Sequence, residues 1–403
     1  MKTKNLEVIR NVNDIKNQEI IIIQDFSCFG GKHCQTTALK NILEYRGLHL
    51  SEEMLLGLGG GIGFIYWYTK QMSSPFIGCR NGKVDEFTLN VCKRIGIDAD
   101  IIQTNSEKKA YDELKKLLKK GEPVNLFVDM VYLPYFALPK DAHFGGHAIV
   151  VYGIDEINNK VYISDRSRKP LNVTIEDLRK ARSSKYAPFT PKNKMLKIKK
   201  YPSKISNLYK AIKESIKSSC QNMLNPPIRN IGLSGMKKWA DVISKWPEQS
   251  KGTSFFNCLY NTFIYIEIGG TGGSAFRPMY AKFLEEADSI INKPELNEIA
   301  TIFQKSGRLW NEIATAALPD SWLVLKRIRE LSINKNQICE ENGLSGLEKM
   351  GKINVELGDL MKKAVDELQE RDATSLLEGI KQKIIECCQI EERAFRRLNE
   401  VVK

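Results

Sequence analysis

The chain has 403 residues, 42% hydrophobic and 27% charged, the balance of a globular protein rather than of a disordered or collagen-like one. Its length exceeds one ordinary core and points to two domains. Sixty-one Lys and Arg against 48 Asp and Glu leave a net charge of +13; this suits nucleic acid, an anionic membrane or an acidic protein, but an AT-rich gene would give the same excess, so charge alone names no partner.

The first apolar run, residues 20–23, is too short for a secretory or membrane segment, so a cytoplasmic protein is expected. Nine cysteines, an odd number that includes the neighbours Cys387 and Cys388, argue against a disulfide framework and for reduced thiols.

In chain order, an apolar strand is predicted at 19–24, then a helix at 34–45 in which Ala38, Leu39, Ile42 and Leu43 share one face. Gly47 ends that helix, and Ser51 caps a second one that runs into Gly57-Leu-Gly-Gly-Gly-Ile-Gly63. This glycine run lacks the Lys-Ser/Thr ending of a phosphate loop and is expected to form a mobile loop beside a cleft. A helix at 110–119 and a buried strand at 123–130 follow. Two β-branched runs, 148–154 and 160–164, flank a turn rich in Asn and Asp and are expected to pair antiparallel. Residues 183–204 are basic and contain prolines, with one strand predicted at 194–198, and the domain boundary is placed near Tyr201. Beyond it the period is helical at 204–220, 236–246, 278–291, 299–317, 322–333, 353–368 and 376–402. The predicted fold class is therefore α+β, with residues 1–200 forming a mixed domain and residues 201–403 a mainly α-helical one.

Cys34 ends the turn Phe29-Gly-Gly-Lys-His-Cys34 and opens the first predicted helix. At a helix N-terminus the peptide dipoles and unpaired N–H groups favour a thiolate, and the same N–H groups can hold an oxyanion. A buried, inert thiol is the commoner fate of a free cysteine. His147, one of four histidines, follows two glycines and opens a strand, where it could face a cleft. Asp165 ends the next strand, and antiparallel pairing would bring it toward His147; Asp155 is the reserve third member. The order Cys, His, acid is that of papain-like sites, in which the histidine activates the thiol and the third residue orients the ring. Zinc would compete for Cys28, His33, Cys34, His143 and His147, but no metal-ligand spacing is present and no metal is expected.

Gly31-Lys-His-Cys34 with Ala38-Leu39, the 57–63 glycine run with Phe64, and Gly146-His147-Ala-Ile-Val resemble the N-terminal domain of butirosin biosynthesis protein H-like proteins. Gly235-Met-Lys-Lys-Trp-Ala240, Trp246 and Gly270-Thr-Gly-Gly273 with Phe276-Arg277 resemble that family's C-terminal domain. The resemblance implies a papain-like N-terminal fold and transfer of an acyl group from the phosphopantetheine thioester of a carrier protein, through Cys34, to a small-molecule amine. His147 would move protons and Asp165 would orient it. It implies no bound cofactor, since the phosphopantetheine arm comes with an acidic acyl carrier protein. Papain-like enzymes usually place an oxyanion-hole glutamine where this chain has Cys28, which leaves Gln24, His33 or backbone N–H groups. Gly270, Thr271, Gly272, Gly273 and Arg277 are candidates for binding the pantetheine phosphate. A peptidase, amidase or thioesterase using the same residues, or a non-catalytic protein binding an acidic partner, are the alternatives. No nucleic-acid motif or membrane segment supports those partners, and the oligomeric state, a homodimer included, stays open.

Overall fold

A computed structural model describes residues 18–69, 72–80 and 82–403. The N-terminal region is built on a seven-stranded sheet, and the C-terminal region is helical. β1 (Ile20–Ile22), α1 (Cys34–Tyr45) and α2 (Glu52–Leu58) come first. A two-stranded ribbon of β2 (Ile65–Trp67) and β3 (Phe76–Gly78) leads to α3 (Val84–Arg94) and β4 (Asp98–Ile102). Next are α4 (Glu107–Leu118), β5 (Val124–Val128), β6 (His147–Asp155), β7 (Lys160–Ser164), β8 (Leu171–Val173), α5 (Ile175–Ser183) and β9 (Met195–Lys200). The sheet order is β4-β9-β5-β6-β7-β8, antiparallel throughout, and β1 pairs with the far end of β6.

β6 is the central strand, and all nine of its residues are buried. A strand covered on both faces reads as an unbroken apolar run rather than as alternation, and Ala148–Val151 is such a run. The hairpin expected at 148–164 forms, with Val150 opposite Ser164 and a bulge between Val151 and Gly153. Extending this register sets Asp165 opposite Ile149, one side-chain repeat from His147 and on the same face. The β6–β7 turn is closed by Asp155, whose carboxylate accepts from the Asn158 backbone and side chain. Asp155 is thus eight residues along β6 from His147, roughly 26 Å at strand rise, and the reserve role given to it is withdrawn.

The boundary drawn near Tyr201 falls between β9 and α6 (Leu208–Leu224). After α6 come α7 (Gly232–Ile243), a short α8 (Trp246–Gln249), α9 (Thr253–Phe263), α10 (Arg277–Ile291), α11 (Glu295–Ala317), α12 (Leu323–Asn342), α13 (Leu347–Glu370) and α14 (Thr374–Val401). Of these, α9 was missed in the sequence because Phe255, Phe256, Leu259 and Phe263 are aromatic or apolar at nearly every turn, and its π-helical continuation, Ile264–Ile268, is β-branched.

Hydrophobic packing does not divide at residue 201. One core lies around the sheet, from Ile23 to Met195. The larger one joins α2, the β2–β3 ribbon and α3 to the C-terminal helices, with Phe64 stacked near Trp239 and Trp310. The glycine run 57–63 lies inside this core rather than in a mobile loop. A Cβ at Gly57 would meet the Phe283 ring at 2.2 Å and one at Gly59 the Phe87 ring at 2.0 Å, so these glycines allow close packing. Among the described residues no helix is long and apolar enough to cross a membrane.

Candidate active site

The turn before α1 is held by a carboxylate from α2. Glu52 accepts from the backbone N–H groups of Lys32 (3.0 Å) and His33 (2.8 Å) and from the hydroxyls of Thr36 (2.8 Å) and Thr37 (3.1 Å). Gly31 leaves room for this clamp, since a Cβ there would lie 2.2 Å from the Thr37 hydroxyl, and its N–H donates to the Arg166 carbonyl at 2.9 Å. Cys34 is therefore fixed at the first position of α1. That end has no side-chain cap and no acidic residue in its first turn. The orphan N–H groups of the first turn stay available to an anion.

His147, 3% exposed, lies across the thiol. Its Nε2 is 2.7 Å from Asp165 Oδ2, which leaves Nδ1 for the hydrogen bond to Cys34. Asp165 also accepts from the Tyr135 hydroxyl (2.8 Å) and the Arg166 N–H (2.7 Å). Phe136 sets its ring edge-to-face against His147, centroids 5.2 Å apart. The imidazole thus has one orientation and one tautomer when neutral.

Electrostatics follow from this enclosure. Burial pushes the Cys34 thiol up, but the His147 charge and hydrogen bond and the Ala148 N–H outweigh it, so the thiol titrates below its usual value. Burial pushes His147 down, yet the Asp165 carboxylate and Cys34 carry it to about 9. Burial raises Asp165, and His147 and Arg166 overcome that and hold it low. The thiol is lowered and the imidazole raised by the same contact, so each group favours the charged form of the other, with a proton donor set against the sulfur.

Other expected residues lie elsewhere. Gln24 is exposed beside Tyr45 and Lys119, at the opposite end of the twelve-residue α1, about 16 Å from Cys34 at helical rise. It cannot supply an oxyanion donor. His33 is buried between Phe87 and Phe276, edge-to-face with both, with Nδ1 3.2 Å from the Thr36 hydroxyl. Burial first, and then the Arg80 and Arg166 charges, keep it neutral. Cys28 turns its thiol to Ser164 and Tyr152. His143 bonds Asp129 at 2.8 Å and stacks on Tyr186. Among the described residues no three His, Cys, Asp or Glu side chains are grouped to hold a metal, and all nine cysteines are free.

Arg277 is fully buried. Its guanidinium donates to Glu391 at 2.7 and 2.9 Å and to the carbonyls of Ala275 and Gly63, so it has no face left for a phosphate, and the ligand role expected of it is corrected to a structural one. The neighbouring loop does approach the site. Gly270, Gly272, Gly273, Ser274, Ala275 and Phe276 have positive φ, a run that non-glycine residues adopt only under constraint. Gly272 lies against the Lys32 side chain, where a Cβ would meet it at 3.1 Å. Thr271 is buried and donates to the Ile266 carbonyl at 2.7 Å.

Sequence reasoning missed the groups that steady the site from afar: Glu52, Tyr135, and Arg166 with its partners Glu340 (2.9 Å) and Asn336 on α12. Only Arg166, next to Asp165, had a local signal; the others depend on tertiary approach.

A cysteine at a helix start facing a histidine and a carboxylate on a sheet defines a thiol-based site. Comparison with family models makes its kinship concrete. Residues 33–166 match the model Butirosin biosynthesis protein H, N-terminal, and residues 176–326 match Domain of unknown function (DUF4872). The chain belongs to the butirosin biosynthesis protein H-like family, with its helical C-terminal region, a family named for antibiotic biosynthesis. No curated protein matches the chain.

Proposed function

We propose that the protein is a cysteine-dependent acyltransferase that takes an acyl group from a carrier-protein thioester and passes it to an amine, forming an amide in natural-product assembly. The observation that carries this reading is the Cys34–His147–Asp165 contact at an uncapped helix N-terminus. The helix packed against an antiparallel sheet that bears the histidine supports a papain-like N-terminal domain, spanning residues 1–200, with the helical region, 201–403, covering the site.

The Cys34 thiolate attacks the thioester carbonyl, and the oxyanion forms next to the orphan N–H groups of α1. The tetrahedral intermediate expels the carrier thiolate, which takes the His147 proton. The amine then attacks the Cys34 acyl thioester and gives its proton to His147 as the Cys34 thiolate leaves. Asp165 holds the ring throughout. The enclosed imidazole supports transfer over hydrolysis, because a water-poor site favours the amine. The net charge of +13 suits an acidic carrier protein, and nine free cysteines suit a reducing cytoplasm.

Intact-mass spectrometry of the wild type and Cys34→Ala with acyl-loaded carrier proteins, with and without amines, tests this. An adduct that needs Cys34 and discharges to amines is expected. Discharge to water alone would make the protein a hydrolase, and the absence of adducts with a broad acyl panel would leave a binding protein.

A further inference from the structure

Arg80 follows β3 and packs beside the nucleophile turn. Its guanidinium stacks on Phe87, 4.8 Å from the ring centroid, and Phe87 in turn meets His33, the residue before Cys34, at 5.4 Å. The start of α3 is tied to the first turn of α1, because the Gln35 amide donates to the Val84 carbonyl and to the Thr88 hydroxyl, the latter at 2.8 Å. Arg80 is therefore placed by the same packing that places Cys34.

An arginine carries five N–H donors. Among the described residues Arg80 makes no ion pair, and its Nη1 is sealed from solvent with no hydrogen-bond partner. Arg80 as a whole is half-buried, and two other arginines of the molecule are satisfied: Arg166, beside the site, by Glu340 and Asn336, and Arg277, in the helical core, by Glu391. The nearby carboxylates are engaged as well, Asp165 by His147 and Tyr135, and Glu52 by the nucleophile turn. Lys32, which lies along Gly272 on the other side of the turn, forms no ion pair among the described residues either. Lys32 is exposed and solvated by water, so the group left wanting is the sealed Arg80 Nη1, and an unpaired buried polar atom calls for a partner. Burial lowers Arg80 to about 10, and the nearby Cys34 charge is what opposes that fall.

We propose that Arg80 is a specificity residue that binds a carboxylate on the acyl group delivered to Cys34, with Lys32 as its second cation. The inference rests on the acyl-enzyme reading above and names its donor class, acyl thioesters that carry an anionic group close to the reacting carbonyl. A guanidinium fixed on an aromatic face presents its edge for two parallel hydrogen bonds to such a group. The phosphate of a phosphopantetheine arm is a second source of anionic oxygen, but it lies at the far end of the arm from the sulfur, whereas Arg80 is beside the nucleophile.

The test measures the rate of Cys34 acylation by intact mass with malonyl, succinyl and glutaryl pantetheine thioesters and their neutral monoamide counterparts. Wild type is expected to prefer at least one carboxylate over its amide by ten-fold or more, and Arg80→Gln to bring that ratio to near one, with partial recovery in Arg80→Lys. The proposal fails if wild type shows no preference, if the preference survives in Arg80→Gln, or if Arg80→Gln slows carboxylate and amide donors alike, which would assign Arg80 to the thiolate. A further arm compares pantetheine with phosphopantetheine thioesters of one neutral acyl group; a rate gain that follows the phosphate and depends on Arg80 also overturns it. Adducts with the amides but no carboxylate preference would leave the acyl-enzyme reading standing, whereas no adduct with any thioester would remove both.

Discussion

Two buried carboxylates hold two buried cations in this protein, and they do different things. Glu391 on α14 is 0% exposed, and all its acceptor capacity is used inside the core: Arg277 twice, the Ser306 hydroxyl at 2.6 Å and the Trp310 N–H at 2.7 Å. Arg277 is likewise closed off by carbonyls. Asp165 holds His147 just as firmly, but the imidazole has a second nitrogen, and that nitrogen faces Cys34. A buried ion pair becomes chemically useful when one partner keeps a free valence toward a reactive atom. When every donor and acceptor is satisfied it only joins elements, here α10, α11 and α14.

Asp165→Asn breaks the comparison most sharply. The amide cannot keep the imidazolium charged, so the acylation rate is expected to fall roughly 10³–10⁴-fold, the scale seen when the orienting carboxylate of a comparable site is neutralised. The pH at which iodoacetamide alkylates Cys34 should rise at the same time, as His147 drops from about 9. An unchanged alkylation profile would exclude Asp165 from that role.

Glu391→Ala should act on stability instead. It strands Arg277 in the core at a cost of about 3–5 kcal/mol, measurable by urea unfolding. A loss below about 1 kcal/mol would mean that the pair does not join the helices as described.

Glu52→Gln tests the clamp between these cases. Replacing the carboxylate weakens its bonds from four donors at about 1–3 kcal/mol, and the turn that carries Cys34 should loosen, so that acylation slows more than alkylation by a small reagent. Equal slowing would point to a general loss of folding.

The two pairs should also separate by pH. Glu391 is held below its usual value, first against burial and then by Arg277, so its contribution is complete above 4.5 and fades as pH falls through its lowered folded value. His147 is raised from 6.5 to about 9, so its contribution is complete below 6.5 and fades as pH rises through 9. The alkaline decline in unfolding midpoint should be smaller in Asp165→Asn than in wild type, and an identical decline would put its origin elsewhere.

Much of the site was legible because its signals are local. A glycine turn into an amphipathic helix announced Cys34 at its N-terminus, and two glycines before an apolar run announced His147 at the start of β6. Asp165 followed from hairpin register. Gln24 and Arg277 were misread for the same physical reason: a residue type and its neighbours tell nothing of what lies across the fold. Gln24 is carried by β1 to the wrong end of α1, and Arg277 meets a glutamate 114 residues away. The glycine run 57–63 looked mobile because side-chain-free segments often are, and its burial depends on Phe87 and Phe283 arriving from α3 and α10.

By itself the sequence determined the family, the mixed first half and helical second half, and the placing of Cys34 at a helix start and His147 at a strand start, since these rest on short-range periodicity and adjacency, while the β2–β3 ribbon, α3, β4, β8, α5 and α9 were not legible in it. Tertiary structure alone decided which cations are satisfied and which are not, because pairing requires groups distant in the chain to meet. It brought Glu52 to the nucleophile turn, closed Arg277 onto Glu391, and left Arg80 beside Cys34 without a partner among the described residues.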